Sequence, residues 1–314
     1  MKKSLFVIVL FYNLSFSQNL EKNSSLNYHV KVNSTKELTQ LINHNFNTDI
    51  DKARFLFSWL TSNIRFYSNS NNSTLKDPEL IVYYNKDDLK RRRKMINDAI
   101  AEKAISSKEG VCIDIAIIFK KVCDLLHIEN ELIKGYTKMS ATDIGIKPKF
   151  KNHAWNAVKI DNDWVLIDAT YGIKFDSNLL KQVPNFNYFN IAKDKIKLTH
   201  YPSDKKWRDF LEQTDLNSFS HLPMVWTPFL ESNAKIVSPI NGKLNNPKNI
   251  FITLKNLESN TDITYKYKQD KHAKNPSVTN SGTYTNIAID KIKPGVLTLY
   301  FNNKSALSYI IAAK

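Results

Sequence analysis

Two hydrophobic rhythms divide the chain, a helical one up to about residue 126 and a strand-like one after about residue 231. Leu38, Leu41 and Ile42 form an apolar stripe behind Ser34-Thr35-Lys36-Glu37, a sequence suited to capping a helix start. Ala53, Leu56, Phe57 and Leu60 recur at helical spacing with Trp59 flanking them, which predicts a second helix from about Asp49 to Ile64. A polar, basic helix is expected over Asp87 to Ile105. From Ile113 to Leu126 the residues are apolar nearly all round, so this segment should be a buried central helix. The Ser/Asn-rich stretch from Tyr67 to Thr74 reads as a loop, and Leu75 to Lys108 as an insertion over whatever the central helix helps to build.

Strands follow. Glu131 to Tyr136 predicts one, and His153–Ile160 with Trp164–Tyr171 predicts a hairpin turning at Asp161-Asn162-Asp163. Lys138 to Lys151 reads as a loop, and Pro184 to Pro228 as an aromatic-rich, irregular stretch. Beyond about Glu231, six segments alternate apolar with polar residues between Asn, Gly, Pro and Ser clusters: Ala234–Ile240, Asn249–Lys255, Asp262–Lys268, Gly282–Ile289, Val296–Phe301 and Ala306–Ile311. Short strands so spaced predict a small β-sandwich of the immunoglobulin-like kind. The expected fold class is α+β, with a helix-on-sheet domain over residues 18–230 and the sandwich over 231–314.

Residues 1–17 have the layout of a cleavable signal peptide. Met1-Lys2-Lys3 is positive, Leu5 to Tyr12 is apolar, and Ser15-Phe16-Ser17 places small residues before a cut ahead of Gln18. The expected location is therefore periplasmic or secreted, with no transmembrane span, because no later apolar run reaches the required length. The formal net charge of +15 would raise nucleic acid as a partner in a cytosolic protein. Export argues against that and favours an anionic envelope surface or an acidic substrate. The densest basic run, Lys90-Arg91-Arg92-Arg93-Lys94, reads as a solvated helix face.

Two cysteines remain, Cys112 and Cys123. Eleven residues along one helix separate their Cα atoms by about 16 Å, well past the roughly 7 Å a disulfide tolerates. Cys123 lies among Val122, Leu125 and Leu126 and reads as a core residue. Cys112 follows Gly110-Val111 and opens the central helix, where the helix field favours a thiolate and the first-turn N–H groups can stabilise an oxyanion. With a two-residue turn at Asp161-Asn162, residue 153 faces residue 170, and Asp168 becomes the diagonal neighbour of His153 on the same face. A one-residue slip would separate the two. Cys112, His153 and Asp168 are thus a candidate nucleophile, base and orienter. A second oxyanion donor is expected from the Asn63 to Tyr67 region. The remaining histidines show no metal-site spacing, so neither a metal nor another cofactor is expected.

These residues resemble the transglutaminase-like superfamily of papain-type thiol enzymes. The likeness is carried by Gly110-Val111-Cys112, by Asn152-His153-Ala154-Trp155-Asn156 and by Trp164-Val165-Leu166-Ile167-Asp168-Ala169-Thr170. The later Thr199-His200-Tyr201-Pro202 and Trp207 resemble the tail of the kyphoscoliosis-peptidase-like subgroup. The resemblance spans about residues 45 to 215 and implies a Cys-His-Asp triad, an α+β core and chemistry on amide bonds of peptides or proteins, either hydrolysis or transamidation, with hydrolysis preferred. Asp114 stands where many relatives have a small residue. The rival reading is a catalytically silent binding module for an envelope or extracellular partner.

Overall fold

In the computed structural model, residues 28–67, 81–245 and 247–312 are described. The expected signal peptide and most of the expected loop after Tyr67 lie outside them. Four helices form the first part. They are α1 (Thr35–Asn45), α2 (Asp49–Asn63), α3 (Lys86–Ser107) and α4 (Cys112–Leu125). Each of the first three starts on a polar cap: Ser34 accepts from Glu37 N, Thr48 from Asp51 N, and Asn85 from Asp88 N. α4 is the buried one, with Ile115 to Phe119, Val122 and Cys123 all inside. Its burial against α2 and the sheet explains why it can be apolar on nearly every side. The two short strands β1 (Arg65–Phe66) and β2 (Glu109–Gly110) pair in parallel and tie the end of α2 to the start of α4.

The sheet that α4 packs on contains β3 (Asn130–Thr137), β4 (His153–Ile160) and β5 (Asp163–Ile167). A second small hairpin, β6 (Ile173–Asp176) and β7 (Lys181–Pro184), packs on α2 through Gln182, whose side chain donates to the Thr61 and Ile64 carbonyls. The stretch expected to be irregular is in fact built of short elements. These are α5 (Lys193–Thr199), β8 (His200–Pro202), α6 (Lys205–Phe210), α7 (Leu216–His221), β9 (Met224–Val225) and α8 (Thr227–Glu231). β8 completes the antiparallel sheet in the order β5-β4-β3-β8. The expected register of the β4–β5 hairpin holds, with Asn156 opposite Ile167 and Ile160 opposite Asp163. Asp161 and Asn162, at φ 48° and 70°, supply the left-handed pair that a two-residue turn requires.

Beyond α8 come β10 (Lys235–Ser238), β11 (Lys243–Asn245), β12 (Ile250–Lys255), β13 (Ile263–Tyr267), β14 (Ser277–Ser281), β15 (Tyr284–Ile289), β16 (Gly295–Phe301) and β17 (Lys304–Ala312). They form two sheets, β10-β12-β15-β14 and β11-β17-β16-β13, and β9 adds to β17. Inward residues of both sheets, among them Ile252, Leu254, Tyr267, Ile287, Leu297 and Leu307, share one buried cluster. That cluster already takes in Val225 and Phe229, so the second core begins a few residues ahead of the expected boundary at 231. The chain as a whole mixes α-helices with several predominantly antiparallel sheets.

Candidate active site

The backbone before α4 presents Cys112. α3 ends at Ser107, Lys108 turns left-handed at φ 58°, and Gly110 pairs with Phe66. A Cβ on Gly110 would lie 3.0 Å from Asp114 Cβ, so the missing side chain lets the strand pass close over the first helical turn. Val111 N donates to Asp114 Oδ2 at 3.0 Å, half of a capping box, and Cys112 is the first helical residue. Asp114 therefore fixes the helix start, and burial raises its carboxyl pKa above the ordinary value. Cys112 is buried, and its Sγ lies 4.0 Å from the Asn152 carbonyl oxygen, an acceptor for the thiol.

His153 opens β4. Asn152 just before it is held by two hydrogen bonds to the backbone of Thr137, accepting from its N–H and donating to its carbonyl, both at 2.9 Å. Tyr171 stacks on the imidazole with centroids 4.5 Å apart. The His153 Nε2 faces Asp168 Oδ2 at 2.6 Å, and the Cys112 side chain is near enough to act on the ring's charge. Since Nε2 is taken by the carboxylate, Nδ1 is the nitrogen left for sulfur. Burial alone would lower the imidazole pKa, but Asp168, with a smaller part from Cys112, outweighs it and raises the pKa well above the ordinary value.

Asp168 stands one residue past the end of β5 and is fully buried. Its Oδ1 accepts from Thr170 N at 2.9 Å and Tyr171 N at 3.0 Å. Its Oδ2 accepts from both His153 and, at 2.9 Å, His200 Nε2. Burial opposes the charge, yet the His153 and His200 interactions prevail and hold the carboxyl well below the usual carboxylate range. The structure thus joins His153 to Asp168, places the Cys112 sulfur against the carbonyl of Asn152, the neighbour of His153, and adds His200, which the spacing of histidines along the chain did not suggest.

Among the described residues, His153, Asp168 and His200 offer ligand atoms within 4.8 Å of one another, a set able to hold a cation. Both ring nitrogens already face one carboxylate oxygen at hydrogen-bond distance, and the other oxygen takes two backbone N–H groups. The trio is a satisfied network in which a cation would have to displace existing bonds. In the Asn63 to Tyr67 region, where a second oxyanion donor is expected, several donors are already engaged. Asn63 Nδ2 donates to Tyr28 and Trp59 carbonyls, and Tyr67 N donates to the Gly110 carbonyl. The first-turn N–H groups of Cys112 and Ile113, which have no helical acceptor by position, are the donors nearest the sulfur along the chain.

Gly135 is a further residue the sequence reading passed over. It lies in β3 between His153 of β4 and Pro202 of β8. A Cβ there would meet Tyr201 O at 2.2 Å and Trp155 Cη2 at 2.7 Å. Its bareness lets the Trp155 ring lie across the strand, where it meets His200 edge-on with centroids 4.8 Å apart.

Residues 36–169 match the family described as the transglutaminase-like superfamily, a stretch that contains Cys112, His153 and Asp168. This stretch is a transglutaminase-like domain. The chain is 22% identical over 223 residues to the Lim and transglutaminase domain protein ltd-1 of Caenorhabditis elegans, covering 66% of this chain and 28% of that protein. It is 24% identical over 199 residues to Hillarin of Drosophila melanogaster, covering 58% and 21%. With the kyphoscoliosis peptidase of Homo sapiens it shares 26% identity over 115 residues, covering 35% and 17%. The chain thus spans less than a third of the length of these curated relatives. A solved TGase structure overlays 51% of this chain and 37% of its own at a TM-score of 0.27 and 14% identity.

Proposed function

We propose that the chain is a cysteine-dependent acyl-transfer enzyme that hydrolyses amide bonds of peptides or proteins. The single observation that carries the reading is the buried His153–Asp168 pair, 2.6 Å apart, beside a cysteine at the first turn of a helix. In this mechanism His153 Nδ1 already holds the proton of the Cys112–His153 couple, in keeping with its raised pKa, and the sulfur attacks the amide carbon. Negative charge gathers on the carbonyl oxygen, where the N–H groups of the first turn of α4 stabilise it. His153 then gives its proton to the departing amine as the C–N bond breaks, leaving a thioester on Cys112. A water, deprotonated by His153, attacks the thioester and releases the acid and the thiol. Asp168 keeps the imidazole oriented and balances its charge throughout. Water needs no dedicated acceptor site, which favours hydrolysis over transfer to an amine.

Export after loss of residues 1–17 belongs to the same proposal, supported by the charge and hydropathy pattern of that segment. Arg91 and Arg92 both pair with Asp88 and Lys94 pairs with Asp98, so α3 neutralises part of its own charge, and we include no anionic surface among the partners. The C-terminal unit is read as an immunoglobulin-like sandwich, since its two strand orders correspond to ABED and to GFC with an added parallel edge strand. The test of function is product analysis on a peptide library by mass spectrometry, comparing wild type with Cys112→Ala, with and without an added primary amine. Hydrolysis products that disappear in the variant support the reading. Amine adducts would replace hydrolysis by transamidation, and identical profiles for the two proteins would leave a non-enzymatic binding module.

A further inference from the structure

Two histidines from strands on either side of β3 converge on one oxygen of Asp168. His153 comes from β4 and His200 from β8, with β3 lying between them. We infer that His200 is a positioning residue of the proposed thiol enzyme, donating from Nε2 to Asp168 so that the carboxylate keeps its aim at His153 while that ring exchanges protons with sulfur and leaving group. The inference rests on the acyl-transfer reading above.

Proton counting supports the direction of that bond. Asp168 is ionised, so the proton between it and His200 belongs to His200 Nε2. On the other side of the ring, Nδ1 lies 2.7 Å from Thr199 Oγ1, and the same hydroxyl lies 3.1 Å from the Ile196 carbonyl. A hydroxyl has one hydrogen. Giving it to Ile196 would require a proton on Nδ1 as well, making His200 a cation. Burial disfavours that cation and lowers the His200 pKa despite the nearby Asp168 charge. The Thr199 hydroxyl therefore donates to Nδ1, which fixes the neutral Nε2–H tautomer. His200 is a donor that carries no charge of its own, in contrast to His153, whose pKa the Asp168 charge raises.

The surroundings hold this geometry. His200 is fully buried, with the Trp155 ring edge-on at 4.8 Å and the Tyr171 ring at 5.5 Å. Without His200, Oδ2 would be held by His153 alone, and each movement of that imidazole would leave the oxygen with no second donor. A structural role in packing alone would be met equally by an apolar side chain of similar size. The hydrogen bond would not.

Two measurements on the full chain test the inference. In wild type, ring-nitrogen NMR of the 15N-histidine protein should show His200 neutral with its proton on Nε2. A proton on Nδ1 alone would overturn the inference without any variant. Next, the rate of Cys112 alkylation by iodoacetamide is followed across pH for wild type, His200→Leu and His200→Gln, with folding checked by thermal melting. His200→Leu should slow alkylation at neutral pH by roughly tenfold or more, the weight of a hydrogen bond to a charged group. His200→Gln, which keeps an amide donor, should restore most of the rate. Leucine and wild-type profiles that coincide would overturn it, as would a glutamine variant no better than leucine. If wild-type Cys112 itself reacts no faster than an unactivated thiol, the acyl-transfer reading fails instead, and the tautomer measurement still reports on His200 separately.

Discussion

Four donors meet the fully buried Asp168 carboxylate, and this fixes what single substitutions there should do. Asp168→Asn puts an NH2 group where an acceptor is needed, and in a triad of this kind the loss is expected to reach roughly 10³–10⁴-fold in kcat. Breaking a buried charged pair should also cost about 3–5 kcal/mol, measurable by denaturant unfolding. The pH dependence has a definite sign. Asp168, with a depressed pKa, contributes stability above its unfolded value near 3.9, and the contribution is lost as pH falls through the folded value. His153, with a raised pKa, contributes fully below about pH 6.5 and loses the contribution as pH rises through its higher folded value. The stability gap between wild type and Asp168→Asn should therefore be widest between about pH 4 and 6.5 and should narrow in alkali. A gap unchanged from pH 5 to the far side of the His153 titration would mean that the pair is not charged in the native state. The His153–Asp168 pairing could be read from sequence, because the two-residue turn at Asp161-Asn162 fixes the register of the hairpin. His200 could not, since it is 32 positions from Asp168 and its three-residue strand has too little pattern to reveal its place in the sheet.

At the level of elements, β3 is the spacer between the two histidine strands, and Gly135 is its weak point. Gly135→Ala would drive a methyl into the Tyr201 carbonyl and the Trp155 ring, and overpacking of this sort costs about 1–3 kcal/mol or more. Thermal melting should show the loss, and alkylation of Cys112 should slow as β4 and β8 are pushed apart. A fully stable Gly135→Ala with unchanged alkylation would show that the sheet can open there at no functional cost. Asn156 links strand to nucleophile more directly, since its buried Nδ2 donates at 3.0 Å to the Ala116 carbonyl in α4. Asn156→Leu removes this link, while the carbonyl keeps its helical partner, and should destabilise by about 0.5–1.5 kcal/mol, seen as a lower unfolding midpoint. The strands expected from alternation are present, whereas β11 and β14 escaped notice for identifiable reasons. β14 is exposed at all five positions and has no apolar face to alternate, and β11 is three residues long. The helices and short strands between Pro184 and Pro228 were equally hidden, because elements of two to seven residues are too brief to show a period.

Across the whole molecule, two cores meet at the segment from β9 to α8. Val225 and Phe229 pack with the C-terminal sheets, Leu230 touches both clusters, and Lys195 donates to the carbonyls of Phe229, Ser232 and Ala234. Lys195→Met should loosen this junction, removing the shared donor from the Ser232 and Ala234 carbonyls while Phe229 O keeps Ser232 Oγ, and calorimetry should show a lower or divided melting transition. A single unshifted transition would mean that the apolar contacts suffice. The sequence marked the change of texture near residue 230 but not the overlap, because β9 joins the C-terminal sheet from within the preceding stretch. The account as a whole stands on Cys112 and His153 acting together, and the most direct measurement is the pH–rate profile of iodoacetamide alkylation at Cys112, read by mass spectrometry in wild type and His153→Ala. Cys123, fully buried with its pKa pushed up, serves as the unreactive reference in the same chain. We predict that wild-type Cys112 alkylates faster than an unassisted thiol at neutral pH, and that His153→Ala returns it to ordinary thiol behaviour. Wild-type and His153→Ala profiles that coincide with that of an unassisted thiol would contradict the account.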